Sequence, residues 1–229
     1  MTVENSSVLP FSVRAVIFDM DGLLLDTERP AVECWLEAAR SRGYDLDASV
    51  PIATIGLNEE GTRKVVMNAC GPSFPYDSIR ADLDVLYAAR VEREGIPHRP
   101  GLSVLLDRLD ALKIPMAVAT STVRTWAEWK LKKAGIFHRF AVLACGDEVS
   151  RGKPEPDIFL LAAQRIGRKP DECIGFEDSP AGLRALKSAG IPSVFVKDMV
   201  QPPPEVLSGV WRQFDDLGEA AGLFRIDRT

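Results

Sequence analysis

From residue 100 onward, helix-length amphipathic stretches alternate with short apolar runs, and this alternation limits the possible folds more than any other feature. The apolar runs predict strands at residues 116–120, 141–144, 172–176 and 192–196. A helical pattern precedes each of them, at 102–112, 123–134, 157–166 and 180–189. Strands joined by helices pair in parallel. Together with an opening strand at residues 13–18, the pattern predicts an α/β fold, a Rossmann-like doubly wound parallel sheet.

Residues 27–96 have a different character. They contain helical patterns at 30–42, 59–70 and 76–94 and no convincing strand. The simplest organisation is an α/β core made of residues 1–26 and 97–229, with residues 27–96 inserted as a helical cap domain. Residues 1–12 are polar, and we expect them to be loose.

Charge and composition limit the partners. The chain has 229 residues, a net charge of −5 and a pI of about 5.2, without a long basic run. Nucleic acid and anionic membranes are therefore poor partners. No signal-peptide pattern opens the chain, and the four cysteines are too far apart in sequence to indicate a zinc site or a disulfide scaffold. We expect a cytoplasmic monomer that acts on a small molecule.

Two carboxylates follow the first predicted strand. Asp19 and Asp21 are separated by one residue and are followed by Gly22. Ligands of open parallel sheets bind beyond the carboxyl ends of the strands. Two crowded carboxylates there favour a divalent cation, although Asp-x-Asp-Gly is also a common turn sequence.

The ends of three later strands add complementary groups. Thr120 and Ser121 follow one strand and offer hydroxyls and backbone amides to a phosphate. Lys153 lies in a proline-flanked loop, and Glu177 and Asp178 form a second acidic pair. Carboxylates, hydroxyls and one ammonium at neighbouring strand ends predict a hydrated Mg²⁺ beside a phosphoryl group.

With these motifs the sequence resembles the haloacid dehalogenase-like (HAD) phosphatases, in the β-phosphoglucomutase-like branch that carries a small helical cap. The motifs stand in the family's order as DMDG at 19–22, DTE at 26–28, TS at 120–121, GKPEP at 152–156 and GFEDSPAG at 175–182. The second aspartate of the first motif, Asp21, is absent from the dehalogenating relatives. Its presence here argues against a dehalogenase.

The resemblance implies a role for each motif residue. Asp19 is the implied nucleophile, which forms an aspartyl-phosphate, and Asp21 is the implied general acid and later base. Thr120, Ser121 and Lys153 would hold the phosphoryl oxygens, with Thr120 and Lys153 completing the catalytic set. The ligands implied for Mg²⁺ are Asp19, the backbone carbonyl of Asp21, Asp178, and Glu177 directly or through water.

The cap is expected to select the substrate, because the core contacts only the phosphoryl group. The candidate substrate residues are Glu28, Gly56, Asn58, Arg63 and Arg124. For the arginines, a solvated helix face is an equally good interpretation. Trp126 and Trp129, three residues apart on one predicted helix, are interpreted as packing residues.

The leading hypothesis is a Mg²⁺-dependent phosphatase that hydrolyses a small phosphorylated metabolite, a sugar phosphate. The alternative is a β-phosphoglucomutase-type isomerase, although residues 29–32 lack the histidine that the mutase carries after its Asp-Thr pair. A third hypothesis is a regulator phosphorylated on aspartate, similar to receiver domains. The cap and Asp21 count against it.

Overall fold

The computed structural model describes residues 13–224, and the loose segment predicted for residues 1–12 lies outside this range. Within it, six parallel strands form one sheet in the order β3-β2-β1-β4-β5-β6. The strands are β1 Ala15–Phe18, β2 Met116–Ala119, β3 Val142–Ala144, β4 Cys173–Glu177, β5 Ser193–Val196 and β6 Arg212–Phe214. The predicted α/β fold with a parallel sheet is confirmed.

Ten α-helices occur in the same residues. They are α1 Glu28–Ser41, α2 Ser49–Ile52, α3 Glu59–Cys70, α4 Tyr76–Glu94, α5 Leu102–Ala111, α6 Arg124–Lys133, α7 Asp157–Arg165, α8 Pro180–Ala189, α9 Pro204–Leu207 and α10 Leu217–Ala220. Single 3₁₀ turns cover Phe137–Arg139, Gly146–Glu148, Pro170–Glu172 and Ala221–Leu223. The short elements α2, α9 and β6 lack a clear sequence pattern, since each has at most four residues.

Both faces of the central strands are buried, and alternate residues belong to different cores. Val16 and Phe18 of β1 point into a large cluster that also includes residues of α1 and α4. Ala15 and Ile17 point into a second cluster formed with α7 and α8. This alternation follows from the period of two in a strand. It explains why the strands read as continuous apolar runs rather than as alternating ones.

The first four helices occupy the segment between β1 and α5. Helices α1 and α4 pack against each other. Trp35 of α1 lies 5.8 Å from the ring of Tyr76 at the start of α4, and Ile79 and Leu83 are buried in the same cluster. No strand of the described sheet comes from this segment.

An ion-pair cluster ties the two ends of this segment to the sheet. The side chain of Asp198, just after β5, is almost fully buried; it accepts from Arg29 Nη2 at 2.7 Å and forms an ion pair with Arg99 Nη1 at 2.9 Å. Arg29 lies in the first turn of α1, and Arg99 precedes α5. Both connections between the helical segment and the sheet are therefore held at one carboxylate.

Candidate active site

The ends of β1 and β4 and the loop that holds Lys153 bring three charged groups together. Asp19 follows β1, Glu177 ends β4, and Lys153 Nζ lies between them, 2.5 Å from Asp19 Oδ1 and 2.7 Å from Glu177 Oε1. All three side chains are nearly or fully buried. Adjacent parallel strands place these groups side by side, with Phe18 in register with Phe176. The acid pairs predicted at separate strand ends therefore share one site.

Glu177 is held from both sides. Its Oε1 accepts from Lys153, and its Oε2 accepts from the backbone amides of Asp178 and Ser179 and from the Ser179 hydroxyl. Ser179 also caps α8 by accepting from the Gly182 amide at 3.1 Å. Glu177 consequently positions Lys153 with little freedom of its own.

Asp178 has the opposite situation. It is 2% exposed, and its Oδ1 is buried without a hydrogen-bond partner. One carboxylate oxygen each from Asp19, Glu177 and Asp178 lie within 4.8 Å of one another. Buried polar atoms in proteins are normally satisfied, and oxygen-only clusters suit Mg²⁺. The residues therefore fit a divalent cation, with Asp178 and Asp19 as its freest ligands.

Burial and the crowding of carboxylates also raise the pKa values of Asp19 and Asp178. Burial raises the pKa of Asp19 to about 8, with Lys153 opposing the shift and Glu177 adding to it. Burial, followed by Glu177 and Asp19, also raises the pKa of Asp178. Three carboxylates share one ammonium, so binding either a proton or a cation stabilises the cluster by reducing its negative charge.

Asp21 lies beside this cluster and has three donors. Thr27 Oγ1 donates to its Oδ1 at 2.7 Å, and Thr122 Oγ1 donates to its Oδ2 at 2.7 Å. Lys130 Nζ of α6 lies 2.6 Å from Oδ1, with the ring of Tyr87 5.3 Å away. Burial by itself would raise the pKa of Asp21, but Lys130 and the two hydroxyls lower it by more. The net pKa of Asp21 is therefore below its usual value, and the carboxyl is ionised in the absence of substrate.

The end of β2 supplies hydroxyls and connects the helical segment to the sheet. Thr120 is buried, and its Oγ1 accepts from the Thr122 amide at 3.1 Å. Ser121 Oγ donates to the carbonyl of Gly56 at 2.9 Å. A Cβ on Gly56 would lie 2.4 Å from Ser179 Oγ, so only glycine allows the loop before α3 to come this close.

A cavity of about 180 Å³ opens between the strand ends and helices α1, α3 and α4. Asp19, Asp21, Thr120 and Ser121 line its sheet side. The helix side includes the following residues: Glu28, Ala31, Trp35, Leu57, Glu59, Thr62, Arg80, Leu83, Asp84 and Tyr87. Lys153 is just beyond the lining, at Asp19.

The candidate substrate residues are distributed unevenly around this cavity. Glu28 and Gly56 line it. Asn58 caps α3 by accepting from the Gly61 amide, and its side chain packs against Gly152 of the lysine loop. Arg63 pairs with Asp77 over the ring of Tyr76, and Arg124 pairs with Glu148 and Glu128; both are outside the lining. A role of these arginines in substrate binding stays a prediction.

Several lining residues escaped sequence reasoning. Three residues donate to Asp21: Thr27, Thr122 and Lys130. Thr27 lies in the DTE motif without a predicted role, and the other two lie in none of the motifs quoted above. Trp126 packs against the core and contacts Trp129 edge to face, as expected of a packing residue, and it also lines the cavity. Lys130 lies four residues after Trp126, one helical turn along α6, and this spacing places both on the face that borders the cavity.

Comparison with known proteins agrees with this architecture. The family model of the haloacid dehalogenase-like hydrolases matches residues 13–190. A phosphorylated carbohydrates phosphatase of Thermotoga maritima is 32% identical over 183 residues, which cover 80% of this chain and 84% of that protein. The fructose-1-phosphate phosphatase YqaB of Escherichia coli is 34% identical, with 80% of this chain and 95% of that protein covered.

A solved structure shows the same fold. CbbY from Rhodobacter sphaeroides, crystallised with phosphate, has a TM-score of 0.78 and 27% identity, over 92% of this chain and 99% of that chain. Among the described residues, no helix is long and apolar enough to span a membrane.

Proposed function

Because the chain belongs to the haloacid dehalogenase-like hydrolases, in the branch of β-phosphoglucomutase-like phosphatases, we propose that it is a Mg²⁺-dependent phosphatase that hydrolyses a small phosphorylated metabolite, a sugar phosphate, through an aspartyl-phosphate. The observation that carries this proposal is the buried Lys153 between Asp19 and Glu177, just beyond the lining of a cavity to which Asp19 and Asp21 both contribute.

Asp19 is the proposed nucleophile. One of its carboxylate oxygens attacks phosphorus, a new P–O bond forms, and the bond to the leaving alcohol oxygen breaks. Lys153 lies beside the attacking carboxylate and compensates the negative charge that the carboxylate and the phosphoryl group bring together. The Thr120 and Ser121 side chains and the amides after β2 hold the remaining phosphoryl oxygens.

Asp21 is the proposed acid and base. It gives a proton to the departing alkoxide, and in the second half it takes a proton from the water that attacks the aspartyl-phosphate. The free carboxyl is ionised, so the proton has to be gained as the phosphoryl group arrives. The negative charge of that group beside Asp21 raises the carboxyl's pKa toward the range of a donor.

Asp19, the Asp21 carbonyl and Asp178 are the proposed ligands of Mg²⁺. When bound, the cation neutralises phosphoryl charge. Glu177 is engaged by Lys153 and by the start of α8, which favours contact through water over direct coordination.

Residues 27–96 are the proposed cap. Closure over the sheet excludes water while the aspartyl-phosphate forms. The hydrogen bond between Ser121 and Gly56 and the Asp198 cluster are contacts that such closure would use.

The test is phosphate release from a panel of sugar phosphates, with Mg²⁺ and with chelator. We expect release that requires Mg²⁺, together with ³²P on the protein that survives rapid acid quenching with labelled substrate and is removed by hydroxylamine, as an acyl phosphate is. Conversion of β-glucose 1-phosphate to glucose 6-phosphate without release would instead establish the mutase. Release that is unaffected by chelator would contradict the proposed metal requirement.

A further inference from the structure

The side of the cavity opposite the strand ends has an unusual charge composition. It is formed by α1, α3 and α4, and we call its charged part the helix wall: Glu28, Glu59, Arg80 and Asp84. Three carboxyl groups and one guanidinium face the volume in which the leaving group of the substrate would lie. Burial raises the pKa of Glu28 to about 8, so this carboxyl is largely neutral at neutral pH. Glu59 and Asp84 against the single Arg80 leave the helix wall with one more carboxylate than cations.

The arginine of the helix wall is already engaged. Arg80 Nε lies 3.2 Å from Glu59 Oε2, and Arg80 Nη2 lies 3.3 Å from Asp84 Oδ1. The other oxygen of Glu59 accepts from Tyr76 Oη at 2.8 Å. A second phosphate or a carboxylate of the substrate could reach Arg80 only with Glu59 and Asp84 beside it, and both repel an anion.

The remaining cation of the lining is Lys130, and it pairs with Asp21. Within residues 13–224, the lining of the cavity thus offers no cation that lacks a carboxylate partner. Glu28, close to Asp21, is a further carboxyl of the lining, and it forms no ion pair within the described residues. We assign the single anionic group of the substrate to the strand ends, where Thr120 and Ser121 line the cavity with their hydroxyls and Lys153 lies just beyond the lining, beside Asp19.

Aromatic rings supply the rest of the recognition surface. Trp35, Tyr87 and Trp126 line the cavity. Flat aromatic faces pack against the C–H face of a sugar or the plane of a base, while carboxylates accept hydrogen bonds from hydroxyl groups. Such surroundings favour a neutral, hydroxylated group.

On the basis of the proposed phosphatase function, we propose that the substrate is a monophosphate ester with a neutral, polyhydroxylated leaving group, and that Glu59 and Asp84 exclude substrates with a second anionic group. The same exclusion opposes a phosphoglucomutase reaction, which passes through a bisphosphate.

The test compares substrates that share the scissile phosphate and differ in one anionic group. Suitable pairs are glucose 6-phosphate with 6-phosphogluconate, fructose 6-phosphate with fructose 1,6-bisphosphate, and glycerol 3-phosphate with 3-phosphoglycerate. We expect kcat/KM to be about 10-fold or more higher for the neutral member of each pair that is hydrolysed.

A double variant, Glu59→Gln with Asp84→Asn, leaves Arg80 in place and removes its two partners. It should bring the ratio of kcat/KM within a pair toward one, mainly through a gain on the anionic member. The matched control is Asp77→Asn. Asp77 lies on α4, as Asp84 does, but it pairs with Arg63 outside the cavity. It should leave the ratio unchanged. Far-UV circular dichroism verifies folding of each variant.

The outcomes separate the two proposals. Hydrolysis with a preference for the anionic members, or a ratio that the double variant does not change, overturns the inference and leaves the phosphatase in place. No hydrolysis of any member and no labelled aspartate would refute the phosphatase itself, and the inference with it.

Discussion

The ammonium of Lys130 lies 2.6 Å from Oδ1 of Asp21, and the two side chains are only 13% and 16% exposed. This pair joins α6 to the loop after β1 and fixes the proposed acid-base carboxylate toward the cavity. Two hydroxyls complete the arrangement, from Thr27 and Thr122. The position of Asp21 is thus determined by residues from three separate parts of the chain.

Replacing Lys130 with Met is expected to lower kcat by about 10- to 100-fold, because Asp21 loses its orienting partner. Removing one member of a buried ion pair should also cost about 3–5 kcal/mol in the free energy of unfolding. Steady-state kinetics and urea unfolding measure the two effects. The control is Lys132→Met on the same helix, whose ammonium is 56% exposed and pairs with Glu128. An unchanged kcat in Lys130→Met would show that the pair does not position Asp21.

Asp19→Asn is expected to reduce turnover by at least ~10³-fold, because an amide cannot form the phosphoryl adduct. The fold should survive, since the amide has nearly the same shape and Lys153 keeps Glu177 as its partner. Phosphate release and the melting temperature are the measurements. Wild-type-like activity in this variant would refute the assignment of the nucleophile.

The effect of Mg²⁺ on stability should depend on pH. Without a cation, the folded-state pKa of Asp19 is raised to about 8, and that of Asp178 is raised as well. Both lie above the unfolded value of about 3.9. The folded protein therefore holds extra protons, and these groups contribute stability that is present below about pH 4 and is lost as the pH rises toward 8.

Bound Mg²⁺ replaces those protons, so the rise in melting temperature on adding Mg²⁺ should be larger at pH 8 than at pH 5.5. Differential scanning fluorimetry with and without Mg²⁺ measures it, since titrations elsewhere in the chain cancel in the difference. Asp178→Asn should abolish most of the rise. An equal rise at both pH values would contradict a cation held by these carboxylates.

Gly182→Ala tests the support of Glu177. A Cβ at position 182 would lie 1.6 Å from Glu177 Oε1, the oxygen that accepts from Lys153. We expect a loss of about 1–3 kcal/mol in the free energy of unfolding and a fall in kcat of about 10-fold or more. Gly222→Ala is the control, because no atom lies within 4 Å of a Cβ there. If the two variants had the same kcat and the same free energy of unfolding, Glu177 would not be a residue that positions Lys153.

The sequence by itself determined the layers of this protein and the floor of its site. Short apolar runs alternating with helical patterns could form only a parallel sheet with helices on both faces, because buried strands and amphipathic helices have different periods. Asp19, Thr120, Lys153 and Glu177 follow or flank those runs, so the convergence of strand ends brings them together.

Only the tertiary structure decided how the upper part of the cavity is built. In the sequence, Arg63 and Arg80 are both polar positions of predicted helices and cannot be told apart. In the structure only Arg80 lines the cavity, because the packing of α3 and α4 fixes which side of each helix faces it. Lys130 similarly reads as one of several lysines on α6, and its pairing with Asp21 depends on a contact across 109 residues. Local periodicity encodes which face of a helix is apolar; which polar residues meet across a cavity depends on helix orientation, which no local pattern contains.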